Sequence, residues 1–248
     1  MAGYDTGSTV SSVWRAAKSD YGTPLFWIRY FSPSPVDVVN ASASNAVAEC
    51  QAIWSCNSSS PCLGPVTSPG DLTGNSAAGQ ADAKTFCAAL NFVYTNVAPL
   101  LLPTNGQLYC WLDQECSASM SSGYWDGWAT YVNGYNGLSG GSYPLYACLY
   151  CSPCCTPHNC SSICAGCDGD TCYAVWTPEY QKCGYNLNNT PPSDFATCNG
   201  CGVDNGIPTR VWQFAEQTVC GLSVNVDMDV GTPGFGTGDY CFYLASNP

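Results

Sequence analysis

Apolar and polar positions along this chain alternate between a strand-like and a helix-like rhythm almost from end to end. Gly3-Tyr4-Asp5 opens as a strand and a helical stretch follows over about Val10 to Ser19. Leu25-Phe26-Trp27-Ile28-Arg29-Tyr30 is apolar, aromatic and bounded by Pro24 and Pro33, which predicts a buried strand. Residues 44–56 and 77–97 place apolar side chains at helical spacing (Val47, Ala48, Ile53, Trp54; Ala81, Phe86, Ala89, Leu90, Val93). Residues 108–115 predict a third strand, 123–135 a helix and 143–150 a fourth strand. Short strands are then predicted at 172–176, 210–214 and 223–230. Strands separated by helices imply a mostly parallel sheet. At 248 residues and about eight strand candidates, the expected fold is α/β, a single TIM-like (β/α) barrel over residues 1–248. No linker divides it. The low-complexity stretches at 57–61 and 137–142 are loop-sized, and no fixed-period repeat occurs.

Composition narrows the setting. The chain has 18 acidic residues against 6 Lys plus Arg, a net charge of -12, and no basic run. Nothing there neutralises phosphates or docks on anionic lipid, so nucleic-acid and membrane-surface partners are disfavoured. No apolar run approaches the roughly 18 residues that span a bilayer. The start has neither a basic n-region nor an apolar h-region, so secretion is expected from the cysteines alone.

There are nineteen cysteines, an odd number, so one thiol stays unpaired or pairs with another chain, a route to self-association. Eight fall within residues 148–172 (Cys148, Cys151, Cys154, Cys155, Cys160, Cys164, Cys167, Cys172), around the lone histidine His158. Their CxxC spacings suit a zinc ribbon. The spread of cysteines along the rest of the chain favours an oxidising compartment and a disulfide-stapled insertion instead, with at least seven disulfides, no metal and no cofactor. Sequons at Asn40, Asn57, Asn159 and Asn188 fit an extracellular protein.

The chemistry concentrates in carboxylates. Asp113 and Glu115 end a predicted strand, and residues two apart on a strand share a face. At about 3.3 Å per residue their carboxyls sit roughly 6 Å apart, near enough for one to hold a proton as general acid. Asp5 ends the first strand, and Asp227 lies in the last with Asp229 on the same face, so either of the two is a candidate inward group. In a barrel these strands are neighbours and their C-terminal ends meet at one rim. Aromatic residues offer platforms for sugar faces, Trp212 first among them, while Trp27 and Trp111 inside strands fit core filling better. With a single histidine, serine-protease chemistry is disfavoured. The Gly-rich stretch at 231–238 lacks a following Lys-Ser/Thr and is no phosphate loop.

Taken together, Gly3-Tyr4-Asp5, Ala78-Gly79-Gln80-Ala81-Asp82, Leu112-Asp113-Gln114-Glu115, Tyr143-Pro144-Leu145-Tyr146 and Val211-Trp212-Gln213-Phe214 with Val226-Asp227 resemble family 25 glycoside hydrolases and related glycoside-hydrolase-like domains. Arg29-Tyr30-Phe31 is closer to the latter. The resemblance implies a β/α barrel that hydrolyses the bond between N-acetylmuramic acid and N-acetylglucosamine. It implies Glu115 as general acid, Asp113 as its partner, and Asp5 and Asp227 as supporting carboxylates; Trp212, Tyr146 and Tyr30 are the expected substrate contacts. The expected partner is a polysaccharide. A different class fits the same composition: a catalytically silent carbohydrate-binding or structural extracellular protein of coat or filament type.

Overall fold

The computed structural model describes residues 2–31, 43–57, 61–114, 119–138, 143–151, 172–178, 208–218, 225–232, 235 and 238–248. Eight strands close on themselves: β1 (Ala2–Asp5), β2 (Phe26–Tyr30), β3 (Cys62–Thr67), β5 (Leu108–Gln114), β6 (Leu145–Cys151), β7 (Val175–Pro178), β8 (Thr209–Thr218) and β9 (Asn225–Gly231). Pairing runs in that order and returns from β9 to β1. Seven of these strands are parallel, while β9 is antiparallel to both β8 and β1. The barrel is therefore mixed. An all-parallel arrangement needs a long crossover before each strand. Four helices lie among the described residues: α1 (Val10–Tyr21), α2 (Ala43–Cys56), α3 (Ser76–Asn96) and α4 (Ser122–Gly134). Two short strands, β4 (Leu100–Leu101) and β10 (Phe242–Leu244), pair with each other.

Strand alternation sorts the side chains into two cores. Phe26, Ile28, Cys62, Val66, Trp111, Trp176, Val211 and Phe235 point into the lumen and form one apolar cluster. Trp27, Leu63, Leu112, Leu149, Trp212, Met228 and Val230 point outward into a larger one shared with the helices. The lumen is packed: Phe26 and Phe235 meet edge to face at 4.9 Å, Trp111 and Trp176 at 6.3 Å.

The helices are held by caps and close contacts. Val10, Val13 and Ala17 form the buried stripe of α1, and Glu49 of α2 accepts the orphan N–H of Val10 at 3.1 Å. Glu49 is in turn held by buried Arg29 at 2.8 Å, whose guanidinium also donates to the carbonyls of Thr6 and Ser8. One ion pair thus ties β2, α2 and the turn after β1. Asn75 and Ser121 cap α3 and α4 by accepting from the N–H groups of Ala78 and Tyr124. These two helices approach so closely that a Cβ at Gly127 would lie 1.9 Å from the Ser76 carbonyl oxygen, and one at Gly79 2.0 Å from that of Tyr124.

Strand β3 is absent from the pattern-based expectation because Gly64 and Pro65 break its apolar run. Its geometry explains why proline is tolerated. β3 pairs with β10 through Cys62 and Leu63 and with β5 through Val66 and Thr67. The Val66 carbonyl accepts from Phe31 N–H on the β2 side, so the nitrogen of Pro65 faces the other way, where β10 gives over to β5. No ladder donor is lost there.

Candidate active site

The inward positions near the C-terminal ends of the parallel strands carry polar groups. Asp5 is the last residue of β1 and pairs in register with Asp227, while Asp229 lies opposite Gly3. The lumen at Gly3 has no room for a side chain, since a Cβ there would lie 2.2 Å from the Phe26 ring. Gln213 of β8 is the other cross-strand neighbour of Asp229. On β9 the alternation places Asp227 and Asp229 together on the lumen side, because Val226, Met228 and Val230 fill the outer core. The sequence left open which of the two faces inward. Both do.

Hydrogen bonds link this belt. Trp176 donates its indole N–H to Asp229 Oδ1 at 2.9 Å. Tyr150 donates to Gln213 Oε1 at 2.8 Å, and its ring packs on Trp176 at 4.3 Å. Tyr30 donates to Asp113 Oδ2 at 3.4 Å. Asp5, Asp113 and Asp229 are buried and Asp227 is half-buried.

Asp5 and Asp229 are hydrogen-bonded to each other. Burial pushes the Asp5 carboxyl well above the usual carboxylate range, the Asp229 charge and hydrogen bond push it further, and Asp227 and Arg29 pull against them. Burial also raises Asp229; its hydrogen bonds to Asp5 and Trp176 oppose this, and the Asp227 charge adds to it. Two carboxyls enclosed together favour one proton over two charges. The arrangement can store and release a proton inside the barrel.

The structure brings Asp5, Asp113, Asp227 and Tyr30 to the lumen side near one end. Glu115 lies outside the described residues. Two expected substrate contacts are placed elsewhere. Trp212 sits between inward-pointing Val211 and Gln213, so its indole faces the outer core and is buried there. Tyr146 faces the lumen, but it pairs with Tyr109, four residues before the Asp113–Tyr150 pair and so about 13 Å away along the strand. At that opposite end it packs on Tyr109 (6.1 Å) and Tyr173 (4.6 Å). The sequence alone marks neither Tyr150 nor a polar role for Gln213 and Trp176. Cross-strand register brings them to the carboxylates: Tyr150 pairs with both Asp113 and Trp176, and Gln213 pairs with Asp229.

Surface grooves of about 400 and 380 Å³ lie over α3 and α4 around Gln80 and Tyr131, away from the carboxylates. Among the described residues no three His, Cys, Asp or Glu side chains are arranged to hold a metal ion. No helix of the described residues is long and apolar enough to cross a membrane.

The cysteines depart from expectation. Cys151 is disulfide-bonded, but Cys50, Cys56, Cys62, Cys87, Cys110 and Cys148 are buried free thiols. Nineteen less these six leaves thirteen, so at most six disulfides form rather than seven or more. The six lie on helices and strands of the two cores, where a thiol packs as a small apolar group. Burial pushes Cys56 to about 11 and Cys50 to about 12, so both are protonated and unreactive. Most of the insertion at 148–172 lies outside the described residues.

No family model and no curated protein matches the chain. Among solved structures it is similar to the 1.07 Å crystal structure of an uncharacterized B. stearothermophilus protein, with a TM-score of 0.63 over 94% of this chain and 96% of that one at 15% identity. This likeness shows the fold alone.

Proposed function

We propose that the protein is an extracellular, muramidase-like glycoside hydrolase, a single TIM-like (β/α) barrel with its last strand reversed, that cleaves an N-acetylated glycan such as peptidoglycan. The observation that carries this reading is the placement of Asp5, Asp113, Asp227 and Asp229, from three different strands, on the lumen side near the C-terminal ends, beside Tyr30, Tyr150 and Trp176. Barrel enzymes place their chemistry at that end. Glycosidic cleavage calls for a protonated carboxyl and a charged one near the scissile bond. Glu115, two residues beyond Asp113, is the general acid in this reading. Asp113 stays charged and either orients the acetamido group for internal attack or stabilises the oxocarbenium-like transition state. The net charge of -12 disfavours nucleic acid and anionic membrane as partners and suits a neutral polysaccharide.

A second reading is a silent carbohydrate-binding or structural barrel. It is favoured by the enclosure of Asp5 and Asp229 and by the filling of the lumen with Trp111, Trp176 and Phe235. Mass spectrometry of the soluble products released from purified peptidoglycan separates the two. New reducing-end N-acetyl sugars are expected for the hydrolase. Retention on the polymer without release establishes the second reading instead.

A further inference from the structure

We propose that Asp229 is a positioning residue: it shares a single proton with Asp5 and, anchored by the Trp176 indole, presents Asp5 as a neutral carboxylic acid able to donate a hydrogen bond to the bound glycan. The inference rests on the glycosidase reading for what Asp5 faces, while the shared proton rests on the placement and burial of the carboxyls.

Asp229 Oδ1 accepts the indole N–H of Trp176. Asp229 Oδ2 and Asp5 Oδ2 are buried oxygens that receive no N–H or O–H among the described residues. On the lumen face Asp227 is the register neighbour of Asp5 and Asp229 its diagonal neighbour, Asp5 is hydrogen-bonded with both, and carboxylate oxygens cannot bond without a hydrogen between them. A buried acceptor left bare costs about 1–3 kcal/mol, and more when charged. One proton removes both the deficit and one of the two buried charges.

The surrounding charges decide where that proton sits. On β9, Asp227 faces Asp5 and adds negative charge, which favours retention of the proton. On β2, Arg29 acts on Asp5 in the opposite sense, but its guanidinium is engaged by Glu49 and by the Thr6 and Ser8 carbonyls on the outer side of the strand. β7 contributes the Trp176 N–H, which stabilises negative charge on Asp229 specifically. Asp229 is therefore the anionic half and Asp5 the neutral donor. No coenzyme or external redox partner enters, only a proton moving between two carboxyls.

Infrared difference spectroscopy of the substrate-free protein at neutral pH tests the pair. A protonated-carboxyl C=O stretch above the amide I band, shifting in D₂O, is expected in the wild type. Recorded in the Glu115→Gln background, which removes the general acid's own carboxyl, it should be lost in Asp5→Asn and Asp229→Asn and kept in Asp113→Asn. Should either of the first two variants fail to fold, Trp176→Phe serves in its place and should shift the band by removing the anchoring N–H. Absence of the band in the wild type, or its survival in both Asp5→Asn and Asp229→Asn, overturns the shared proton. The pH profile of glycan hydrolysis carries the second arm. In Asp229→Asn the alkaline limb of 1/KM, which reads the hydrogen bond from Asp5 to the glycan and not the Glu115 acid, should move down by about one unit or more, because Asp5 then ionises more readily. An unmoved limb overturns the positioning role. If the band is present and the wild type hydrolyses nothing, the glycosidase reading falls and the proton pair stands. If hydrolysis occurs without the band, the reverse holds.

Discussion

A Cβ placed on Gly3 would lie 2.2 Å from the Phe26 ring, and Gly3 is also the residue opposite Asp229. Gly3→Ala should therefore overpack the lumen next to the carboxyl pair. A loss of about 1–3 kcal/mol in chemical denaturation is expected, whereas an unchanged midpoint means the Phe26 ring is free to move away. The pair itself makes a pH-dependent contribution whose sign follows from its raised pKa values. Asp5 keeps its proton when folded and loses it when unfolded above about pH 4, so at neutral pH the native state binds more protons than the unfolded one. The contribution is fully present below the unfolded value and lost as pH rises through the folded one. Thermal denaturation scans between pH 4 and pH 7 should show this part of the stability falling as pH rises. Asp229→Asn should flatten the slope, since its amide donates to an ionised Asp5. An identical slope in wild type and variant removes the pair from the stability account.

At the scale of elements, the barrel depends on contacts that the hydrophobic pattern does not announce. The buried Arg29–Glu49 pair holds the N-terminus of α1, α2 and the turn carrying Thr6 in one arrangement. Glu49→Ala leaves the guanidinium buried without its partner and uncaps α1. A destabilisation of about 3–5 kcal/mol is expected by denaturant unfolding, and a cost under about 1 kcal/mol contradicts the role given to the pair. Where the pattern was strong, the sequence was enough: Val47 to Trp54 and Ala81 to Val93 predict α2 and α3, and the runs before Tyr30, Asp113 and Tyr150 predict β2, β5 and β6. β3 was illegible because Gly64 and Pro65 interrupt it, and β10 because three residues are too few to show a period. The direction of β9 was likewise unreadable, since alternation records which face a residue takes and not which way the strand runs. The same limit explains the site. Period two puts Asp227 and Asp229 on one face of β9 and turns Trp212 away from Val211 and Gln213 on β8, but which of those faces meets Asp113, and how far Tyr146 lies from it, depend on register, which composition does not encode.

At the scale of the whole molecule, a closed barrel with an acidic, aromatic belt at one end is joined to an unusual cysteine economy. Six thiols are buried in the framework, while the densest cysteine cluster falls in the insertion after β6. Titration of thiols in denaturant without reductant should detect at least these six. A smaller number shows that core cysteines are bridged after all. The account as a whole turns on whether the carboxylates at the C-terminal end of the barrel perform glycosidic cleavage. The most direct measurement is the rate of peptidoglycan hydrolysis by wild type, Asp113→Asn and Glu115→Gln, each shown to be folded, across acidic to neutral pH. The account expects hydrolysis by the wild type and a fall of roughly 10²- to 10⁴-fold in Glu115→Gln, with a marked loss in Asp113→Asn. Equal rates in all three, or no hydrolysis of any N-acetylated glycan by the wild type, contradict it.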